Sequence, residues 1–134
     1  MMKNFSIPDS ITIQVAGGMY DIHNDFDLVE VSSTPESGDF QLKFLKSPEA
    51  NVRTTAKGIT LKFMNVSHLS LTTGAASALK HGVNEIGYKA PADLDHDWLG
   101  GEAKSSSSDH LVIRLQGDEL FRVYSASAIA DVIF

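Results

Sequence analysis

The chain has 134 residues, 43% of them hydrophobic, a length that suits one domain with one core better than two small ones. It contains no cysteine, which excludes disulfides, thiolate catalysis and cysteine-ligated zinc or iron–sulfur sites. A net charge of −6, with 11 basic residues scattered along the chain, disfavours nucleic acid and anionic membrane surfaces as partners and makes a basic protein the natural one. No stretch approaches the roughly 20 apolar residues of a membrane span and no apolar leader core opens the chain, so cytoplasmic residence is expected.

Alternation of apolar and polar residues at period two recurs along the sequence and predicts about eight strands. The first covers residues 11–15, with Ile11, Ile13 and Val15 on one face, and Gly17-Gly18 ends it. Residues 26–31 and 39–46 follow, the latter alternating Phe40, Leu42 and Phe44 with polar neighbours, across a turn at Thr34-Pro35-Glu36-Ser37-Gly38. Residues 47–51 are the next break. Residues 52–56 read either as a short extension or as loop.

Residues 58–64 and 66–72 form the clearest pair of strands. Ile59, Leu61 and Phe63 share one parity, which Val66, Leu69 and Leu71 do not keep, so a bulge is expected near Ser67 and His68. Thr73 is placed to cap a short helix over residues 74–81, closed by Gly82. Residues 83–90 return to strand until Pro91. Residues 91–109 make the longest irregular stretch, ending in Ser105 to Ser108 as a flexible linker and Asp109-His110 as a strand-entry turn. A last hairpin turns at Gln116-Gly117-Asp118-Glu119, and Ser125 and Ser127 could cap a closing helical turn over residues 128–132.

The fold class is therefore mainly β, a β-rich α+β chain: an antiparallel two-layer sandwich or half-open barrel with one or two short helices, as a single domain over residues 1–134. A sheet edge left exposed would allow a symmetric dimer.

Two clusters invite a site. In extended backbone Asp21, His23, Asp25 and Asp27 would line one face, where oxygen and imidazole ligands could hold a divalent cation; the plainer reading is a solvated edge that deters pairing. Asp93, Asp95 and Asp97 open like the D-x-D-x-D of a calcium loop, but Trp98 stands where such a loop needs glycine and Lys104 where it needs a bidentate glutamate. A solvated acidic loop with Leu94 and Trp98 anchored on the core is one reading. The other applies if Trp98 is exposed: Asp93, Asp95, His96, Asp97 and Trp98 then make a contact surface for a basic partner.

None of the five histidines sits in a nucleophile or metalloprotease signature, no phosphate-binding glycine loop is present, and no catalytic residue or cofactor is expected. The order Ile59-Thr60-Leu61-Lys62-Phe63-Met64-Asn65-Val66-Ser67-His68-Leu69, a strand, a long polar insertion, Leu111-Val112-Ile113-Arg114-Leu115 and Phe121-Arg122-Val123 resembles small β-rich immunity proteins of bacterial polymorphic toxin systems. The resemblance covers about the C-terminal three-fifths of the chain and rests on an aliphatic alternation. It implies a protein that neutralises a toxin by binding it and transfers no catalytic residue. The leading expectation is thus a small protein-binding module, with a metal-binding domain or metal-dependent enzyme, and a barrel enclosing a small apolar ligand, as the alternatives.

Overall fold

A computed structural model describes residues 1–34, 36–50, 54–76 and 81–134. Ten strands account for its regular structure: β1 (Met2–Lys3), β2 (Phe5–Asp9), β3 (Thr12–Val15), β4 (Gly18–Asp21), β5 (Phe26–Thr34), β6 (Asp39–Lys46), β7 (Gly58–Leu71), β8 (His81–Lys89), β9 (His110–Leu115) and β10 (Leu120–Ile133). The main sheet runs β1-β10-β7-β6-β5-β8-β9, and because β10 also pairs with β9 the six strands β5 to β10 close into an antiparallel barrel. The sheet closes rather than splitting into two layers or staying half open. No helix among the described residues is long and apolar enough to cross a membrane.

Closure depends on the length of β10. Its first residues, Leu120 to Val123, pair with β9 on one side, while the other side pairs with β7 from Phe121 opposite Leu71 to Ile133 opposite Gly58. At the opposite seam, among the described residues, β5 and β8 pair at Asp27 with Gly82 and Leu28 with His81. The three-stranded meander β2-β3-β4 seats against β8, where the Ile86 N–H donates to the Ser10 carbonyl at 2.8 Å. Its Ile7 and Ile13, with Ile22 just beyond, are fully buried and join the barrel's core cluster. Phe40, Phe44, Phe63 and Phe121 pack in the interior with Leu42, Leu61 and Ile113.

Several local expectations are corrected. Residues 58–64 and 66–72 are one continuous strand bent at Asn65, which adopts a left-handed φ of 56°, rather than two paired strands. The bulge itself falls where parity failed: the β7–β10 register shifts between Tyr124 and Ser125, leaving Ser67 as the extra residue. A second shift between Val83 and Glu85 turns Val83 to the same side as Ile86 and Tyr88. Over the expected helix at residues 74–81, the described part is a 3-10 turn at Thr73–Ala76 followed by strand from His81; residues 77–80, like residues 51–53 and Pro35, lie outside the described residues. The expected helical turn over 128–132 is strand, because Ala128 and Ala130 face inward opposite Phe63 and Leu61 and their small side chains leave room for those larger ones.

The β3–β4 hairpin turns on Ala16 and Gly17, with φ of 49° and 85°, the two-residue turn in which both positions are left-handed. Alanine carries a steric cost there that asparagine largely avoids. Ala16→Asn should therefore stabilise the protein by about 0.5–1 kcal/mol in denaturant melts; no gain would mean that the turn adopts another conformation in solution.

Candidate functional site

Where the sequence placed its two polar clusters, the structure gives different outcomes. The Asp21 to Asp27 segment is not extended: residues 22–25 form a turn, built by the Asp21 carboxylate, which accepts from the His23 and Asn24 backbone N–H groups at 3.0 and 2.8 Å. His23 is drawn to the Val83 carbonyl, Nδ1 to oxygen 2.6 Å, and Asp25 is buried while Asp27 lies in β5. The shared face expected for Asp21, His23, Asp25 and Asp27 does not form. Among the described residues no group of three or more histidine, aspartate or glutamate side chains is placed to hold a metal ion.

Residues 90–100, by contrast, build a site. Strand alternation turns Lys89 of β8, Val112 and Arg114 of β9 and Arg122 of β10 to the outside of the barrel. The long insertion folds back over that face. It can approach closely because Gly87 has no side chain: a Cβ there would lie 2.6 Å from the Leu99 Cβ and 2.8 Å from the Gly100 carbonyl oxygen. Tyr88 and Gly100 exchange backbone hydrogen bonds of 2.9 and 3.0 Å at this crossing.

Three cations of the barrel hold the loop. The buried Lys89 ammonium lies 3.2 Å from the Asp93 carboxylate and 2.9 Å from that of Asp95. Its hydrogen bond to Asp95, helped by the Asp97 backbone N–H, pulls the Asp95 carboxyl below the usual range, and the same contact raises Lys89. Arg114 pairs with Glu85 at 2.6 Å and stands 3.9 Å from Asp97. Arg122, only 4% exposed, donates from Nη1 to the Asp93 carbonyl (2.7 Å), from Nη2 to the Ala90 carbonyl (2.9 Å) and from Nε to His110 Nδ1 (2.9 Å). The contact between Nη1 and His96 Nε2 is longer, 3.4 Å.

Among its outward side chains the loop carries two large apolar ones, Leu94 and Trp98. Trp98 is 93% exposed and Leu94 82%, so the reading in which both anchor on the core is overturned. The side chains of Asp93, Asp95 and Asp97 rim them while still touching their cations. A shallow cleft of about 490 Å³, lined by Glu85, Asp97, Trp98, Leu99 and Arg114, runs beside the indole.

A second cleft, of about 150 Å³, opens on the other side of the loop between Pro91, Leu94 and His96 and the strand residues His68, Ser70, His110 and Arg122. Here His68 stacks on His110 with ring centroids 4.5 Å apart, and Tyr124 tilts against His110 at 5.8 Å. Sequence reasoning missed Arg122, His110 and His68 as a group. The usable signal was the outward parity that Ser70, Val112 and Arg122 share next to an insertion long enough to cover them.

Burial, reinforced by the Arg122 charge, lowers the pKa of both His96 and His110 below 6.5. Folded imidazoles with depressed pKa values bind fewer protons than unfolded ones. The stability they contribute is therefore complete above pH 6.5 and is lost as pH falls through their folded values. Melting temperature followed from about pH 8 to about pH 5 should fall on the acid side, and a His96→Gln/His110→Gln variant should flatten that fall. An unaltered slope in the variant would show that other groups set it.

Ser105 to Ser108 do not behave as a free linker: the Ser106 backbone N–H and hydroxyl both donate to the Asp109 carboxylate at 3.0 Å, and Tyr124 donates to the Ser107 carbonyl at 3.3 Å. Asp109 thereby closes the turn that enters β9 at His110, as its position suggested. No protein-family description, curated relative or solved structure matches the chain.

Proposed function

We propose that the protein is a small protein-binding module of the immunity type, which neutralises a basic partner by docking it on the 91–99 loop with Trp98 as the anchor. The observation that carries this reading is a conflict between Trp98 and its own backbone. Its φ is 59°, a left-handed conformation that bulky residues seldom adopt and that glycine would take without strain. The indole repays none of this cost by burial, since it is 93% exposed. A strained, solvated tryptophan with no role in packing fits selection for contact with something else.

The supports beneath the loop suit the same role. Lys89, Arg114 and Arg122 fix its backbone in advance, so little conformational freedom remains to be lost on binding. The exposed carboxylates of Asp95 and Asp97 form a rim that would steer a positively charged partner, in keeping with the net charge of −6.

Trp98 is the single tryptophan, which makes the test direct. Protein labelled with 5-fluorotryptophan should give one fluorine resonance. On titration with the purified product of the adjacent gene that resonance should shift and saturate as a complex forms. A complex that leaves the resonance unmoved would remove Trp98 from the interface, and no complex at all would remove the proposed function for that partner.

A further inference from the structure

The cleft between His68, His96 and His110 has a buried cation as its floor. The Arg122 guanidinium is 4% exposed, yet every hydrogen bond it makes goes to a neutral acceptor: two backbone carbonyls and two imidazole nitrogens. No carboxylate among the described residues pairs with it; the Asp93 and Asp95 carboxylates of the covering loop are bonded to Lys89. Carbonyl dipoles satisfy its N–H groups, but no described carboxylate contacts the guanidinium directly, an unusual arrangement for a charge this buried.

The hydrogen bonds also decide what the histidines can offer. A guanidinium only donates, so His110 Nδ1 and His96 Nε2 must accept. Each ring then carries its proton on the other nitrogen. His110 is thus protonated at Nε2 and His96 at Nδ1, each on the side of its ring away from Arg122. Four of the five Arg122 N–H groups are engaged, leaving one on Nη2 without a partner among the described residues. Ser70, directly across the strand pair from Arg122, adds a hydroxyl at the mouth. The cleft of about 150 Å³ has far more room than one water needs.

We infer that this cleft is a binding site for a compact oxyanion, a phosphate or carboxylate group, held by the unengaged Arg122 Nη2–H and the Ser70 hydroxyl, with the His68, His96 and His110 rings as its walls. The oxyanion would supply the countercharge that the fold withholds from Arg122. The site shares Pro91, Leu94 and His96 with the loop but does not include Trp98, and its test does not depend on the protein partner.

The register provides a test that leaves the buried arginine in place. Ser70 is exposed and pairs with Arg122, so Ser70→Asp sets a carboxylate beside the guanidinium from the neighbouring strand, where Cβ atoms lie about 5 Å apart. Titration of the wild type with inorganic phosphate and, separately, with acetate is followed through the Arg122 Nε–H and the His96 and His110 ring resonances, against sodium chloride at matched ionic strength. We expect saturable shifts with phosphate or acetate, the arm that saturates identifying the class of oxyanion, and none with chloride. Ser70→Asp should weaken that binding about tenfold or more and raise the melting temperature by several degrees, whereas Ser70→Asn should do neither. Shifts that follow ionic strength alone, or Ser70→Asp binding as tightly as the wild type, would overturn the site.

Discussion

Replacing Phe121 by alanine should lower the unfolding free energy by about 3–5 kcal/mol, the range for removing a fully buried ring from a close-packed interior. Phe121 is fully buried, its ring lies 5.8 Å from that of Phe40, and its backbone pairs with both Leu71 and Ile113. It therefore sits at the junction where β10 closes the barrel. The cavity cannot readily collapse, because sheet on both sides holds its walls in place. Domains of this kind are stable by about 5–15 kcal/mol, so the loss would be a large fraction of the total. At about 3–5 °C per kcal/mol the melting midpoint should drop by about 10–20 °C. Leu71→Ala provides the contrast: Leu71 is the cross-strand partner but is well exposed, and its truncation should cost about 1 kcal/mol. Equal effects of the two changes in calorimetric or denaturant melts would mean that the barrel does not close at Phe121.

That junction also marks where the sequence stops being readable. Residues on β5, β6 and β9 declare themselves through alternation, because one face meets the core and the other meets water or loop. Even the bulge at Ser67 is visible as broken parity. Barrel closure is not, since it depends on β10 running far enough to pair with β7 along its whole length, and nothing local in Ser125 to Val132 announces that pairing. Alanines and serines there favour a helix in isolation, and the opposing Phe63 and Leu61 overrule them. At Asp21 the error ran the other way: alternating acids suggested an extended strand, while the Asp21 carboxylate captured two backbone N–H groups and bent the chain.

The candidate site was half legible for a related reason. Composition marked Asp93 to Trp98, within the irregular stretch 91–109, as an acidic cluster carrying the single tryptophan, and Leu94, Asp95, Asp97 and Trp98 are exposed. The sequence could not show that Lys89 and Arg114 would take up much of the loop's acid, nor that the loop would fold over Arg122. Those contacts join positions far apart in the chain. Only the sheet register brings them together.

Trp98→Gly should separate binding from folding, which is the sharpest consequence of the strained indole. At a φ of 59° glycine loses the steric penalty of about 1 kcal/mol that a side chain carries, and removing a 93% exposed ring forfeits almost no buried area. The melting temperature should therefore hold or rise slightly. Binding to the proposed protein partner should fall by about 30- to 700-fold, corresponding to the 2–4 kcal/mol typical of an anchoring aromatic at an interface. Trp98→Phe, which keeps the strain and part of the contact area, should fall between the two in affinity and match the wild type in stability. Calorimetric titration and thermal melts on the three proteins decide the matter. Should Trp98→Gly bind as tightly as the wild type, the indole is no anchor; should it melt several degrees lower, the ring supports the fold after all, and its exposure no longer argues for a partner.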